Sequence, residues 1–207
     1  GEREHMASKS GTRILCVDDE PQVLEGLALH LARRYDVVSA TSGSLGLEIL
    51  QRNPDIGVVV SDMRMPGMDG AAFLRAARDV VPNAVRILLT GQTALDSAIA
   101  AVNEGQIFRF LTKPCAPEML GLALDAGLEQ FRLITAEREL LEKTLSGSVK
   151  ILTEILSLVE PQIFGRCQML RDYTRTLAPA LNVTQVWELE VAAMLSQIGY
   201  VTIPASI

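Results

Sequence analysis

Acidic side chains stand where short apolar runs of this sequence end. Asp18 and Asp19 directly follow the run 13–17, and Asp62 follows the run 56–60 after a single serine. A short apolar run that stops at polar turn residues is typical of a buried parallel strand. Carboxylates that cluster repel one another unless a cation neutralises them, and Mg²⁺ readily binds one or two carboxylates together with waters and phosphate. These acids therefore predict a magnesium site suited to phosphoryl chemistry.

Complementary groups follow two further apolar runs. Thr90 directly follows the run 85–89, and Lys113 follows the run 108–111 after a single threonine. In phosphoryl transfer, the protein mainly positions an in-line nucleophile and places positive charge around the transferred oxygens. We expect Asp62 to be the nucleophile and the Lys113 ammonium to share the developing charge with the metal ion. The Thr90 hydroxyl is then placed to bond a phosphoryl oxygen once it is attached.

These groups converge only if the apolar runs are neighbouring strands of one sheet. The sequence alternates predicted strands with helical segments: strands at 13–17, 35–40, 56–60, 85–89 and 108–111, and helices from Pro21, from Ser42 or Ser44 through Leu50, at 70–80, at 93–103 and from Pro117. Such alternation is typical of βαβ units with a parallel sheet, whose strands end at one ligand-binding edge. We therefore predict an α/β fold with a doubly wound, five-stranded parallel sheet in flavodoxin-like order, followed by an all-α segment.

Beyond Pro117 the strand pattern stops and a helical pattern continues to about Val159. Residues at alternating spacings of four and three form a heptad seam, interrupted by a glycine, an arginine and a serine: Leu120, Leu124, Gly127, Phe131, Ile134, Arg138, Leu141, Leu145, Ser148, Leu152, Ile155 and Val159. A sustained seam is typical of a coiled coil, so we expect residues 117–159 to be a helical connector that pairs with another chain. The alternative is a single amphipathic helix that packs on its own domain.

Taken together and in order, the strand-end motifs resemble the receiver domain of bacterial two-component response regulators. The resemblance covers roughly residues 12–130 and depends on four stretches: Asp18-Asp19, Ser61-Asp62-Met-x-Met-Pro-Gly-Met-Asp-Gly70, Leu89-Thr90-Gly91 and Phe110-Leu-Thr-Lys113-Pro114. Each stretch alone is a weak signal, but the set is specific. It implies that a histidine kinase or a phosphotransfer protein phosphorylates Asp62.

The resemblance also implies further roles. Asp19, Asp62 and the backbone carbonyl of Arg64 would hold Mg²⁺, and Asp18 would assist through a water molecule. Phe110 falls at the aromatic switch position of the family. Thr90 and Lys113 would act with it as catalytic and switch residues at the phosphorylation site. Because phenylalanine has no hydroxyl, it can change rotamer but cannot donate a hydrogen bond when it turns inward.

The segment from Ala192 to Pro204 resembles part of the HD-GYP phosphodiesterase domains, which hydrolyse cyclic di-GMP. The apolar frame agrees, but four positions that carry metal ligands or a lysine in that family are changed: Arg166, Ser196, Gln197 and Tyr200. Metal-assisted hydrolysis requires histidine and carboxylate ligands to hold the ions and activate water. We therefore expect residues 161–207 to be the start of a degenerate HD-type output domain without metal or catalysis, and we expect the natural protein to continue beyond Ile207.

Composition narrows the possible partners. A formal charge of −6 without a basic stripe argues against bulk affinity for nucleic acid, and no apolar run is long enough for a membrane helix. Three scattered cysteines predict a cytoplasmic protein with reduced thiols. The first residues resemble the remnant of an expression tag, so we expect residues 1–11 to be disordered.

Three functions are compatible with these patterns. We favour a response regulator that relays phosphorylation through a homodimeric connector to a non-catalytic module, which contacts an unidentified downstream protein. The alternative enzyme is a receiver-controlled cyclic di-GMP phosphodiesterase of the HD-GYP type. A DNA-binding regulator is the third, although residues 161–207 contain few basic side chains and no convincing helix-turn-helix. We expect no nucleic-acid or membrane partner, and no catalysis besides phosphorylation and dephosphorylation of the receiver itself.

Overall fold

The computed structural model describes residues 12–91, 107–181, 183 and 185–196. The strands in this part are β1 (Arg13–Val17), β2 (Asp36–Ala40), β3 (Ile56–Asp62), β4 (Val85–Thr90) and β5 (Arg109–Thr112). The helices are α1 (Pro21–Leu31), α2 (Gly43–Arg52), α3 (Gly70–Val80), α4 (Pro117–Val159), α5 (Pro161–Leu177) and α6 (Val186–Leu195), with a 3₁₀ turn at Pro179–Leu181. The helix predicted at 93–103 lies outside the described residues.

All strands pair in parallel, in the order β2-β1-β3-β4-β5. This is the flavodoxin-like order, so the predicted fold class is confirmed. Strands β3 and β4 extend further than the apolar runs indicated, because Asp62 and Thr90 still pair with Leu89 and Thr112 of the neighbouring strands. The polar residues thus end these strands within the sheet instead of following them.

Both faces of the sheet are covered, which explains why the strands are apolar on both sides. On β1, Leu15 and Val17 belong to the core that contains residues of α2 and α3. Ile14 and Cys16 belong to the opposite core, which contains residues of α1 and of the first turns of α4. The strand ends are therefore held in a rigid layer between two sets of helices.

Local sequence explains where three of the helices begin. Pro21 occupies the first turn of α1, where its missing N–H has no partner to lose. The side chain of Ser42 caps α2 by accepting a hydrogen bond from the N–H of Leu45, so Ser42 and not Ser44 is the cap. Asp69 caps α3 in the same way.

Helix α4 divides the predicted heptad seam into two parts. Leu120, Leu124 and Leu128 are buried in the receiver core, and a Cβ added at Gly127 would touch apolar side chains of β3 and β4. For this part the alternative is correct, because the helix packs on its own domain. The chain divides into two compact units, residues 1–135 and 136–207, with the boundary inside α4.

In the second unit, α5 and α6 pack against each other. The guanidinium of Arg175 on α5 donates to both carboxylate oxygens of Glu190 on α6, at 2.8 and 2.9 Å. None of the described helices combines the length and apolar content required to span a bilayer.

Candidate functional site

The strand ends bring Asp18, Asp62 and Lys113 into direct contact. The ammonium Nζ of Lys113 lies 2.9 Å from Oδ2 of Asp18 and 2.5 Å from Oδ1 of Asp62. Both carboxylates are buried, whereas 33% of the Lys113 side chain is exposed. Strand β4 lies between β5 and β3, and β1 lies beyond β3, so only a long side chain that follows β5 can reach both acids.

Backbone amides satisfy the remaining carboxylate oxygens. The N–H of Glu20 donates to Oδ1 of Asp18 at 2.9 Å, and the N–H of Arg64 donates to Oδ2 of Asp62 at 2.7 Å. Both donors belong to the turns that immediately follow β1 and β3. Each buried negative charge is therefore compensated by one backbone donor and by the shared ammonium.

The electrostatics keep the Lys113 ammonium charged. Burial lowers the pKa of Lys113, but the hydrogen bonds and negative charges of Asp62 and Asp18 raise it by more, and the net shift is upward from 10.5. The backbone positions the side chain as well, because the N–H of Lys113 donates to the carbonyl of Thr90 at 2.8 Å. The Lys113–Pro114 peptide bond is cis.

Thr90 and Phe110 lie on the two strands between Asp62 and the sheet edge. Thr90 is fully buried, and its hydroxyl donates to the carbonyl of Gly91 at 3.1 Å. Phe110 is half-buried on β5 and packs against the core beneath α2 and α3. Thr90 is linked to the site through its carbonyl, which accepts from the N–H of Lys113, whereas Phe110 packs against the core, and the roles of both in switching stay predictions.

Asp19 faces open space beside the buried acids. Together with Arg64 and Asp69 it lines an open cavity of about 540 Å³, whose remaining lining is Met63, Met65 and Pro66. Carboxylate oxygens are the donors that Mg²⁺ prefers, so the chemistry of the predicted ligands fits this ion. In the described residues, however, no three His, Cys, Asp or Glu side chains are arranged to hold a metal ion, and Lys113 bridges Asp18 and Asp62.

The changed HD-type positions are only partly described. Arg166 on α5 is exposed. Ser196, directly after α6, is exposed and donates its hydroxyl hydrogen bond to the carbonyl of Ala193 at 2.8 Å. Gln197 and Tyr200 lie outside the described residues.

Gly70 helps to position the end of β3, a role that its lack of a chemically active side chain conceals in the sequence. A Cβ at Gly70 would overlap the backbone carbonyl of Asp62 and would touch a methyl group of Leu88. The N–H of Gly70 also donates to the carbonyl of Met63 at 2.9 Å. The sequence feature that could have identified this role of Gly70 is the Asp69-Gly70 pair at the start of a helix. The capping aspartate places the next residue against the end of β3.

Comparison with known proteins agrees with this geometry. Residues 14–125 match the family described as the response regulator receiver domain. The transcriptional regulatory protein GlrR of Escherichia coli (strain K12) is 39% identical over 132 residues, which cover 63% of this chain and 29% of that protein. The chain thus spans less than a third of the length of this curated relative.

Solved structures match the same part of the chain. The crystal structure of an adenylate cyclase from Rhodopirellula baltica has a TM-score of 0.64 at 41% identity, covering 65% of this chain and 99% of that chain. The signal receiver domain of an HD domain-containing protein from Pseudomonas fluorescens Pf-5 has a TM-score of 0.55 at 34% identity, covering 58% of this chain and 97% of that chain. Because the family match extends over more than half of the sequence and includes all the strand ends of the acidic site, the chain belongs to the response regulator receiver domain family.

Proposed function

We propose that Asp62 accepts a phosphoryl group from a histidine kinase or a phosphotransfer protein. The observation that carries this proposal is the contact between the buried Asp62 carboxylate and the Lys113 ammonium, together with the open cavity lined by Met63 and Arg64, which directly follow Asp62. A buried carboxylate with a fixed cation and adjacent free space is poised for in-line attack on an incoming phosphorus atom.

Each residue of the site has a separate role in phosphoryl transfer. A carboxylate oxygen of Asp62 forms the new O–P bond while the bond between phosphorus and the donor nitrogen breaks. Lys113 stays within reach of the transferred oxygens and balances their charge. Asp18, Asp19, Asp62 and the Arg64 carbonyl would hold Mg²⁺, which supplies positive charge to the carboxylates and the phosphoryl group when bound.

The attached phosphoryl group then shifts a conformational equilibrium. It adds negative charge and acceptor oxygens at the strand ends. The Thr90 hydroxyl exchanges the Gly91 carbonyl for a phosphoryl oxygen, and Phe110 changes rotamer on the neighbouring strand. The altered surface near β5 biases the pairing of the connector that begins at Pro117.

Labelling with a small phosphodonor tests the acceptor. Wild type incubated with acetyl phosphate and Mg²⁺ should gain one phosphoryl group, detected by mass spectrometry and mapped to the peptide that contains Asp62. Asp62→Asn should gain none. Asp69→Asn is a matched control, because Asp69 lines the same cavity and asparagine also caps a helix. Undiminished labelling of Asp62→Asn would disprove the assignment.

For the output, we propose a homodimer whose connector relays the signal to a non-catalytic HD-type module that contacts another protein. The similarity to the receiver of an HD domain-containing protein supports the class of module. The side chains of Arg166 and Ser196 lack the imidazole or carboxylate that a metal-dependent hydrolase requires. We therefore expect no cofactor in this segment.

Two other outputs have direct tests. The HD-GYP-like frame at 192–204 favours a cyclic di-GMP phosphodiesterase as the second candidate, and metal-dependent hydrolysis of cyclic di-GMP by the full-length protein would establish it. GlrR is a transcriptional regulatory protein, which makes nucleic-acid binding by the whole protein a further candidate. A salt-dependent gel shift with the full-length protein would establish that function.

A further inference from the structure

The part of α4 that belongs to the second unit carries an apolar stripe that a single chain leaves exposed. Its members continue the heptad spacing, and between 46% and 64% of each apolar residue is exposed: Leu141, Leu145, Leu152, Ile155 and Val159. Ser148 occupies the remaining position of the stripe and is also exposed. A row of large apolar side chains exposed to water, interrupted here only at Ser148, is characteristic of an interaction surface.

Two other faces of this helix segment are buried or charged. Val149, Thr153 and Leu156, each one position beyond a stripe residue, are buried. The side opposite the stripe is charged, with ion pairs between Lys143 and Glu139 and between Lys150 and Glu154, at 3.6 and 3.9 Å. The chain itself therefore covers one flank of the stripe, whereas the exposed side chains of Ile151 and Leu158 extend the apolar surface on the other flank.

We propose that this stripe, residues 138–159 of α4, pairs with the same stripe of a second copy of the chain, in parallel and in register. The inference specifies the homodimer of the proposed function and rests on it. A second copy is the occupant that has the required length and heptad period at every position. In this arrangement, Arg138 and Ser148 of one copy lie opposite the same residues of the other copy. Single polar residues in such a seam are known to select the register of the two helices.

The charges at the start of the stripe favour the parallel arrangement. In register, Arg138 of each copy lies within reach of Glu137 and Glu142 of the other copy, so that opposite charges meet. An antiparallel pair centred on Ser148 would instead place Arg138 against the apolar end of the stripe at Val159. That arrangement would also separate Arg138 from Glu137 and Glu142 of the other copy, so the charge pairing between the copies would be lost.

Cysteine cross-linking tests the pairing and its direction. Leu141→Cys lies on the stripe near its start, and Lys143→Cys is a matched control in the same heptad on the charged side. Both are made with Cys115→Ser, since Cys16 and Cys167 are buried. With a mild oxidant, Leu141→Cys should give a disulfide-linked dimer about tenfold faster than Lys143→Cys, because a disulfide needs closely spaced Cβ atoms. Equal rates would overturn the proposal, as would cross-linking only between Leu141→Cys and Ile155→Cys in a mixture.

Sedimentation supplies an independent measurement. Leu152→Lys should convert a dimer to a monomer, whereas Leu29→Lys, at an exposed leucine of α1 that is 79% exposed, should leave the dimer intact. Both leucines are exposed in the single chain, so neither change disturbs its core, and circular dichroism checks the helix content. A monomeric wild type at the concentrations of the cross-linking experiment would refute the pairing. The experiments use no phosphodonor, so their failure is distinguishable from a failure of phosphorylation at Asp62.

Discussion

Nζ of Lys113 lies 2.5 Å from Oδ1 of Asp62, although one strand of the sheet separates the elements that carry them. The loop after β5 makes this reach possible, because its first N–H is hydrogen-bonded to the carbonyl at the end of β4. The same ammonium contacts Asp18, so a single cation neutralises the acids of two strands. The predictions below begin with this contact.

Replacing Lys113 by methionine should slow phosphoryl labelling by about tenfold to a thousandfold, because a fixed positive charge at the transferred oxygens is lost. Lys113→Arg keeps the charge and should retain more activity, although its planar group fits a lysine position poorly. The measurement is the initial labelling rate with acetyl phosphate and Mg²⁺. Equal rates for wild type and Lys113→Met would show that the ammonium does not assist transfer.

The same variant predicts how stability changes at alkaline pH. The folded-state pKa of Lys113 is raised above 10.5, so its stabilising contribution is complete below pH 10.5 and is lost as the pH rises through the folded pKa. At neutral pH, Lys113→Met should lower the free energy of unfolding by about 1–3 kcal/mol, a range reduced because the side chain is partly exposed. Urea unfolding should show this difference shrinking only at the alkaline end. A difference that is already lost at neutral pH would contradict the assignment.

Tyr35 should report a second pH-dependent contact in the receiver. Burial, the hydrogen bond that its hydroxyl donates to Asp125 at 2.6 Å and the charge of Asp125 raise the pKa of Tyr35 to about 12. Its contribution is therefore present below pH 10 and lost between pH 10 and about 12. Tyr35→Phe should cost about 1 kcal/mol at neutral pH. Absorbance titration of wild type against Tyr35→Phe measures this pKa, and Tyr173→Phe, at an exposed tyrosine, is the control.

Gly70→Ala should damage the site by sterics alone. The new methyl group would overlap the backbone carbonyl of Asp62, so the end of β3 or the start of α3 must shift. We expect a loss of about 1–3 kcal/mol in the free energy of unfolding and a slower labelling rate. Gly26→Ala is the control, because nothing lies near its Cβ position and alanine favours a helix. Similar effects of the two changes would argue against a positioning role for Gly70.

Thr90→Ala should separate phosphorylation from its consequence. Labelling at Asp62 should continue, but the change in hydrogen exchange that phosphorylation causes in β5 around Phe110 should disappear. Thr90→Ser keeps the hydroxyl and should preserve the change. If Thr90→Ala responds like wild type, the hydroxyl is not the reporter of the phosphoryl group.

Removing divalent cations tests the proposed metal. Chelation should abolish labelling by acetyl phosphate, and Mg²⁺ should restore it. Asp19→Asn should raise the Mg²⁺ concentration required for half-maximal labelling, because a carboxylate that faces the cavity is lost. Labelling that persists without any divalent cation would exclude a metal requirement.

Local patterns in the sequence predict the order of strands and helices along the chain and identify the charged groups of the site. Apolar runs that end in Asp18, Asp62, Thr90 and Lys113 specify parallel strands, because polar groups of this kind are tolerated only at strand ends. The family motifs then indicate phosphoryl chemistry. Strand ends were misplaced by one or two residues at β3 and β4, since backbone pairing and not hydrophobicity decides where a strand stops.

The partners of each group follow from the three-dimensional packing of the chain. The heptad spacing continues along α4, yet Leu120, Leu124 and Leu128 are buried in the receiver core while the stripe from Leu141 onward is exposed. A periodic pattern records that one face is apolar and does not record what covers it. In the same way, the sequence predicted that Lys113 and the acids converge, but the shared ammonium and the Gly70 contact with the carbonyl of Asp62 depend on distances across the sheet. Such distances are set by strand order and packing, which no local pattern encodes.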